Sequence, residues 1–174
     1  MGETRGVRPR LPFRTINRAG DPGYQPGMQR HHLLPRQLLS AGCFGALLDR
    51  LGHDRVCFDD FRRNGLLLPC TDRAAIGFGL PLHRGPHSDY NGMVFERVGQ
   101  IESGWARRRL RRPDDALEEA LMRLALLQRA LRRRLLAERC RLRLNRADPL
   151  GSGRDFAELD AMAEMLWRET GKDA

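Results

Sequence analysis

The chain has 174 residues, of which 41% are hydrophobic and 30% are charged, a composition that can build a folded core and excludes wholesale disorder. No apolar run approaches the roughly 18 residues of a membrane span, and the first residues lack the apolar region of a signal peptide. We therefore expect a cytoplasmic protein without a membrane partner.

The net charge of +9 is carried almost entirely by arginine, and Lys172 is the only lysine. A coding bias towards arginine explains the ratio of the two residues but not the positive excess. This excess predicts an anionic partner, of which nucleic acid is the first candidate. The cysteines form no CxxC pair, which excludes zinc ribbons and thioredoxin motifs; they are Cys43, Cys57, Cys70 and Cys140.

The N-terminal part of the chain reads as an arm followed by a short strand and a helix. Residues 1–27 are rich in arginine, glycine and proline, which predicts a flexible basic arm. Residues 28–34 read as a short strand or an extended loop. The leucine spacing over residues 36–51 predicts an amphipathic helix that Gly42 and Gly45 weaken.

The remaining elements follow from turn signals and helical periodicity. Asn64-Gly65 predicts a turn before a buried strand at 66–68, and residues 70–81 read as a loop. Three helices and a linker are then predicted. The helices cover about 84–109, 114–136 and 155–169, and the linker covers 145–153. We divide the chain into the arm, a domain at 28–110 and a helical extension at 111–174.

The histidines form two clusters that are typical of a metal site. His83 and His87 are four residues apart at the start of a predicted helix, so they can share one ion. His31 or His32 can add a third ligand, and their side chains point to opposite sides of an extended backbone. The other histidine is then free to transfer a proton near neutral pH. A metal ion and a free histidine in a basic chain are what phosphodiester hydrolysis needs.

Three segments carry a family resemblance. RHHLLP, NGLLLP and LHRGPHSDYN resemble, in this order, the His-Me finger (HNH, ββα-metal) nucleases, and within them the branch with a conserved AHH motif. The likeness covers about residues 28–98. It implies an α+β fold, in which a small ββα-metal finger carries the helical C-terminal extension.

The resemblance also implies roles for single residues. His32 corresponds to the general base, and His31, His83 and His87 correspond to the metal ligands. Asn64 corresponds to the central asparagine, which we class with the catalytic residues because it holds the loop that bears the base. The alternative for Asn64 is a plain turn residue.

Four further residues are assigned to nucleic-acid contact. Tyr90 and Asn91 match a YN pair that fixes the start of the finger helix or touches phosphate, and Arg84 lies between two ligands. Arg30 stands where the branch usually has alanine, and the interval from Asn64 to His83 is longer than in compact fingers. A basic run at 107–112 is either a phosphate-binding flank or a solvated helix face.

These observations predict a metal-dependent endonuclease. We expect it to cleave DNA rather than RNA, with little sequence specificity, using one divalent ion that is Zn, Mg, Mn or Ni. The family also includes toxin modules, so an exported effector and an immunity protein as its partner are further expectations. The alternatives are a non-catalytic, metal-stabilised nucleic-acid-binding module and a purely structural zinc site. The oligomeric state stays open.

Overall fold

The computed structural model describes residues 9–138, 141–145 and 147–150. In this part of the chain, a two-stranded antiparallel sheet is combined with helices, which confirms the predicted α+β class. The predicted helix at 155–169 lies outside the described residues. The strands are β1 (Met28–His32) and β2 (Gly65–Pro69), and the helices are α1 (Gln37–Ser40), α2 (Gly45–Leu51), α3 (His53–Val56), α4 (Phe61–Asn64), α5 (Asp72–Phe78), α6 (Ser88–Arg108) and α7 (Pro113–Leu135).

The two strands pair directly and set which side of the sheet each histidine faces. His31 lies opposite Leu66 and His32 lies opposite Gly65 in the antiparallel register. Successive residues of a strand alternate between its two faces. As a result His31 is buried at 3% exposure, whereas His32 is only half-buried. Of the two readings of residues 28–34, a short strand or an extended loop, the structure shows a strand over Met28–His32, and the strand predicted at 66–68 is confirmed with slightly wider bounds.

The helix predicted over residues 36–51 is broken into pieces. The chain forms α1, a 3-10 turn at Gly42–Phe44 and then α2, and Ala41 is extended between the first two. The two glycines of this stretch lower the helical preference where the break occurs. The apolar side chains are still buried because α1 and α2 pack on one core. Gly52 ends α2 with a positive φ of 78°.

The prediction of a loop over residues 70–81 is wrong, because α5 lies within it. Thr71 precedes the helix, and its hydroxyl oxygen accepts a hydrogen bond from the backbone N–H of Ala74. Gly79, at a φ of 60°, ends the helix in the left-handed conformation. Threonine before and glycine after a short segment are the standard helix boundary signals. Both signals are present in the sequence. The segment between them is short and has no periodic pattern of apolar residues, so a helix is not predicted there.

Two long helices, α6 and α7, pack on the finger. α6 begins at Ser88, four residues later than predicted, because Gly85 has a φ of 77° and Pro86 follows it. α7 begins with Pro113 at its first position, followed by two acidic residues that suit a helix N-terminus. Over the described ranges, no helix has the length and apolar character needed to cross a membrane.

One hydrophobic core joins the sheet and the helices. It contains β2 residues, α2 residues and the inner faces of α6 and α7, among them Leu68, Leu47, Val98 and Leu131. The predicted helical extension therefore shares its core with the predicted finger as far as residue 135. In the described part of the chain, residues on both sides of the predicted boundary at residue 110 pack in the same core.

The described part of the predicted arm, residues 9–27, packs on the fold. Phe13 is buried within a 3-10 turn, and the N–H of Phe61 donates to the Leu11 carbonyl. Arg10 forms an ion pair with Asp54 at 2.6 Å. For these residues the prediction of a flexible arm has to be corrected, because a buried aromatic ring and backbone hydrogen bonds hold them in place.

Candidate functional site

Three of the predicted ligands come together beside β1. His31 projects from β1, His83 lies in the loop after α5, and His87 is the residue before α6. Their ring nitrogens include a set within 4.8 Å of one another, one from each residue. The His83 backbone N–H donates to the Pro69 carbonyl at 2.6 Å, which ties the loop to the end of β2. The structure thus brings together the three histidines that the sequence analysis predicts as metal ligands.

The surroundings of these rings fit a cation. Among the described residues, His31 Nε2 is buried and has no hydrogen-bond partner, and a buried polar atom without a partner is costly. The Nδ1 atoms of His83 and His87 lie 3.2 Å from the Gln29 side-chain oxygen and the Leu144 carbonyl oxygen, respectively. Both partners are oxygens, so each Nδ1 donates its proton and Nε2 keeps its lone pair. Metal-binding histidines are held in this way.

Burial keeps these three imidazoles neutral. Desolvation lowers the pKa of His31 well below its usual range, and the neighbouring His83 and His87 lower it further. Desolvation, with a smaller effect of His87, lowers the pKa of His83 to about 4. Desolvation also lowers the pKa of His87, although the hydrogen bond to Leu144 opposes this shift. Neutral imidazole is the form that binds a metal ion.

His32 faces a different environment from its neighbour. Its ring stacks on the Phe13 ring, with centroids 3.7 Å apart and planes 3° from parallel. It also lines an open cleft of about 420 Å³, whose wall includes Arg36 and Asp59. Desolvation lowers its pKa to about 4; Arg36 and Arg30 lower it too, against an opposing effect of Asp59. A neutral His32 in an accessible cleft is able to accept a proton.

Asn64 is fully buried and ties down the residues after the histidine pair. Its side-chain oxygen accepts from the Leu34 N–H at 2.8 Å, and its amide group donates to the carbonyls of Leu34 and Phe58. Its backbone carbonyl accepts from the Leu33 N–H at 2.8 Å. At 0% exposure it is inaccessible to substrate, so it is a positioning residue rather than a catalytic one. The alternative, in which Asn64 is a plain turn residue, does not fit either, because Asn64 is the last residue of α4.

Tyr90 and Asn91 hold the same region from the side of α6. Tyr90 is 1% exposed and its hydroxyl donates to the Leu33 carbonyl at 2.7 Å. Its assignment as a nucleic-acid contact is corrected, because burial leaves it only the positioning role. The Asn91 side chain is half-buried and donates to the Gln37 side chain at 2.8 Å.

The two predicted arginine contacts are exposed on the surface of the site. The Arg30 guanidinium donates to the Phe13 carbonyl at 2.8 Å, and Arg84 forms a 3.4 Å ion pair with Asp72. The basic run at 107–112 lies elsewhere. It begins in the last turn of α6 and continues beyond it, and a helix of this length extends about 30 Å from its first residue. The run therefore does not flank the histidines.

Sequence reasoning missed several residues that support the site. Phe13 falls in the predicted flexible arm, although a large aromatic side chain directly after Pro12 was a signal of packing. Gln128 interrupts the apolar stripe of α7. It is 3% exposed and donates to the Val56 carbonyl at 3.1 Å and to the Asn64 side-chain oxygen at 3.3 Å. Gln29 and Leu144 carried no signal, because their roles depend on tertiary contacts.

Comparison with known proteins identifies the family. Residues 13–131 match the model of AHH, described as a nuclease family of the HNH/ENDO VII superfamily with conserved AHH. The match begins at Phe13 and ends inside α7, so it extends beyond the predicted finger at both ends. Searches of curated proteins and of solved structures gave no match. The chain belongs to the AHH family of nucleases.

Proposed function

We propose that this protein is a metal-dependent endonuclease that hydrolyses phosphodiester bonds, with His32 as the general base. One observation carries the proposal: three neutral histidines converge around the buried, unpartnered Nε2 of His31, and the next residue places a fourth histidine in an open cleft. Such a set supplies both a cation site and a proton acceptor.

His31, His83 and His87 are the residues that would hold one divalent ion, either Zn, Mg, Mn or Ni. A bound ion supplies positive charge that stabilises the scissile phosphate and the leaving 3′ oxygen. The side chains of Gln29 and the carbonyl of Leu144 fix the tautomers of two of the ligands. The ligands therefore need little reorganisation on binding the ion.

His32 takes the proton from the attacking water. Burial lowers its pKa to about 4, so the ring is neutral near pH 7 and its lone pair is free to accept that proton, although the low pKa also makes it a weaker base than a free imidazole. Phe13 restrains one face of the ring, and Asn64 and Tyr90 fix the backbone that follows it. These contacts orient the base before substrate arrives. Holding a catalytic group in its reacting geometry lowers the entropic part of the activation barrier.

Nucleic acid is the substrate class, and we propose DNA with little sequence preference. The exposed Arg30 and Arg84 lie next to the histidines in the chain and are suited to phosphate oxygens. Contacts of this kind carry no sequence information and make binding weaken as the salt concentration rises. A role as a toxin effector, neutralised by an immunity protein, rests on the family alone. Growth arrest on expression in an unprotected cell tests that role.

A nuclease assay on plasmid DNA and structured RNA tests the proposed activity. Wild type, His32→Ala and His53→Ala are compared in EDTA and with added Mg²⁺, Mn²⁺, Zn²⁺ or Ni²⁺. His53 is the matched control because it is an exposed histidine that lines the same cleft as His32, and no proton transfer is assigned to it. We expect metal-dependent cleavage by wild type and His53→Ala and its loss in His32→Ala. A folded, metal-loaded wild type that binds but never cleaves would instead indicate a non-catalytic binding module.

A further inference from the structure

The chain returns to the candidate metal site after α7. Residues 141–145 and 147–150, called here the return segment, follow the last helix that the structure describes. Leu142 and Leu144 are 3% and 5% exposed and belong to the hydrophobic core. The Leu142 N–H donates to the Arg134 carbonyl at 3.3 Å, which ties the segment to the end of α7. The return segment is thus packed against the rest of the fold.

The return segment contacts the stretch of chain that carries two of the three ligands. We call this stretch, residues 82–87, the histidine loop. The Leu82 N–H donates to the Asp148 carboxylate at 3.0 Å, and the Asn145 side-chain amide donates to the Arg84 carbonyl. Asp148 is 9% exposed, so its carboxylate is directed into the protein. These two bonds therefore hold the first half of the loop.

The third contact is made to a ligand ring. The Leu144 carbonyl lies 3.2 Å from Nδ1 of His87. A carbonyl oxygen can only accept, so it fixes the proton on Nδ1 and leaves the lone pair on Nε2. Hydrogen bonds of this kind set the orientation and basicity of metal-binding histidines.

The histidine loop is irregular in shape, and the contacts that hold it besides the return segment include the Arg84–Asp72 ion pair and the Gln29 oxygen beside the His83 ring. Gly85 adopts a φ of 77° and Pro86 follows, so regular helix begins only at Ser88. The loop is tied to the sheet through the bond from the His83 N–H to the Pro69 carbonyl. A short irregular loop with two ligands needs additional restraints if both rings are to reach His31.

We propose that the return segment is a positioning element of the ion site, which holds the histidine loop against His31 and sets the tautomer of His87. This inference rests on the proposed metal site. It goes beyond the family, because the match ends at residue 131 and the segment begins at residue 141. Asp148, Asn145 and the Leu144 carbonyl act through the ligands and touch no substrate.

Zn²⁺ binding by the full chain tests the proposal. Titration calorimetry compares wild type with the double variant Asn145→Ala/Asp148→Ala, which removes two of the three contacts. Asp114→Ala is the matched control, since it removes an exposed acid at the start of α7. We expect the double variant to bind Zn²⁺ about 10-fold or more weakly, and the control to bind as wild type does. Circular dichroism of the metal-free proteins checks that each variant is folded.

A second readout follows the ring itself. Imidazole ¹⁵N spectra of the metal-free protein report which nitrogen of His87 carries the proton. We expect the Nδ1–H form in wild type and a mixture of the two tautomers in the double variant. Unchanged affinity together with an unchanged tautomer in a folded double variant would overturn the proposal.

His87→Ala separates this inference from the proposed function. If His87→Ala weakens Zn²⁺ binding and the double variant does not, the ion site stands and the role of the return segment is wrong. If neither variant weakens binding, the histidines do not form the ion site, and the inference falls with it.

Discussion

At the scale of single residues, two neighbouring histidines lie in opposite environments. His31 is buried beside the other ligands, whereas His32 stacks on Phe13 and lines the cleft. The alternation of a strand explains why adjacent side chains separate in this way. It follows that substitutions around His32 should affect proton transfer and leave metal binding intact.

Phe13→Leu tests the role of the stacked ring. Leucine keeps an apolar side chain but removes the flat face that restrains His32, so we expect kcat to fall by about 10- to 100-fold with little change in KM. Zn²⁺ affinity should stay at the wild-type value. Phe13→Tyr, which keeps the aromatic face, should retain most of the rate. Equal kcat values for the leucine and tyrosine variants would show that the stack does not position the base.

Asn64→Ala tests the buried asparagine. The substitution removes the side-chain bonds to Leu34 and Phe58 and leaves buried backbone groups unpaired, so we expect the free energy of unfolding to fall by about 3 kcal/mol. Urea denaturation measures this loss. Asn91→Ala is the control, because its half-buried amide makes one described bond, to Gln37. Similar losses of unfolding free energy in Asn64→Ala and Asn91→Ala would contradict the stabilising role of the buried Asn64 hydrogen bonds.

At the scale of elements, the sequence predicted the strands and long helices better than the short pieces. Helical periodicity identifies α6 and α7 because each of them buries one face along its length, and the continuous apolar run at residues 66–68 identifies β2. α5 has a cap and a glycine stop but buries only Ala75, so no periodic pattern marked it. The break between α1 and α2 depends on how this stretch packs on the core, which glycine content alone does not specify.

Gly65 shows how closely β2 and α4 approach each other. A Cβ at this position would overlap the Phe61 ring, so we expect Gly65→Ala to lower the free energy of unfolding by about 1–3 kcal/mol. Gly92 in α6 is the matched control, since no described atom lies within 4 Å of an added Cβ. There the same substitution should raise stability by about 0.5–1 kcal/mol. Denaturation midpoints that rise for both Gly65→Ala and Gly92→Ala would contradict the close approach of Gly65 to the Phe61 ring.

At the scale of the whole molecule, almost every described element contributes residues to the hydrophobic core or to the candidate site. The sequence predicted the four site histidines because their spacing and neighbours match a known family. It could not predict that residue 13 packs on His32, that Gln128 of α7 reaches Asn64, or that Leu144 holds His87. These contacts join residues that are 19, 64 and 57 positions apart, respectively, and no local pattern encodes them.

The buried histidines also make the stability of the metal-free protein depend on pH. In the folded state the pKa values of His31, His83 and His87 lie below the usual 6.5. Below this pH the unfolded chain therefore binds more protons than the folded one, and stability falls as the pH drops towards 4. We expect the urea midpoint in EDTA to be lower at about pH 5 than at about pH 7.

A variant isolates this histidine contribution from other titrating groups. His83→Gln removes one depressed imidazole, so its loss of stability over the same pH interval should be smaller than that of wild type. A wild-type midpoint that is equal or higher at the acidic pH would contradict the burial of neutral histidines.

Zn²⁺ binding and DNA cleavage, measured side by side on His31→Ala and His32→Ala, test the division of roles between the two histidines most directly. We expect His32→Ala to bind Zn²⁺ as wild type does and to cleave no DNA. His31→Ala should lose both binding and cleavage. Cleavage by His32→Ala at the wild-type rate, or undiminished Zn²⁺ binding by His31→Ala, would contradict the assignment of His32 as the base and His31 as the ligand.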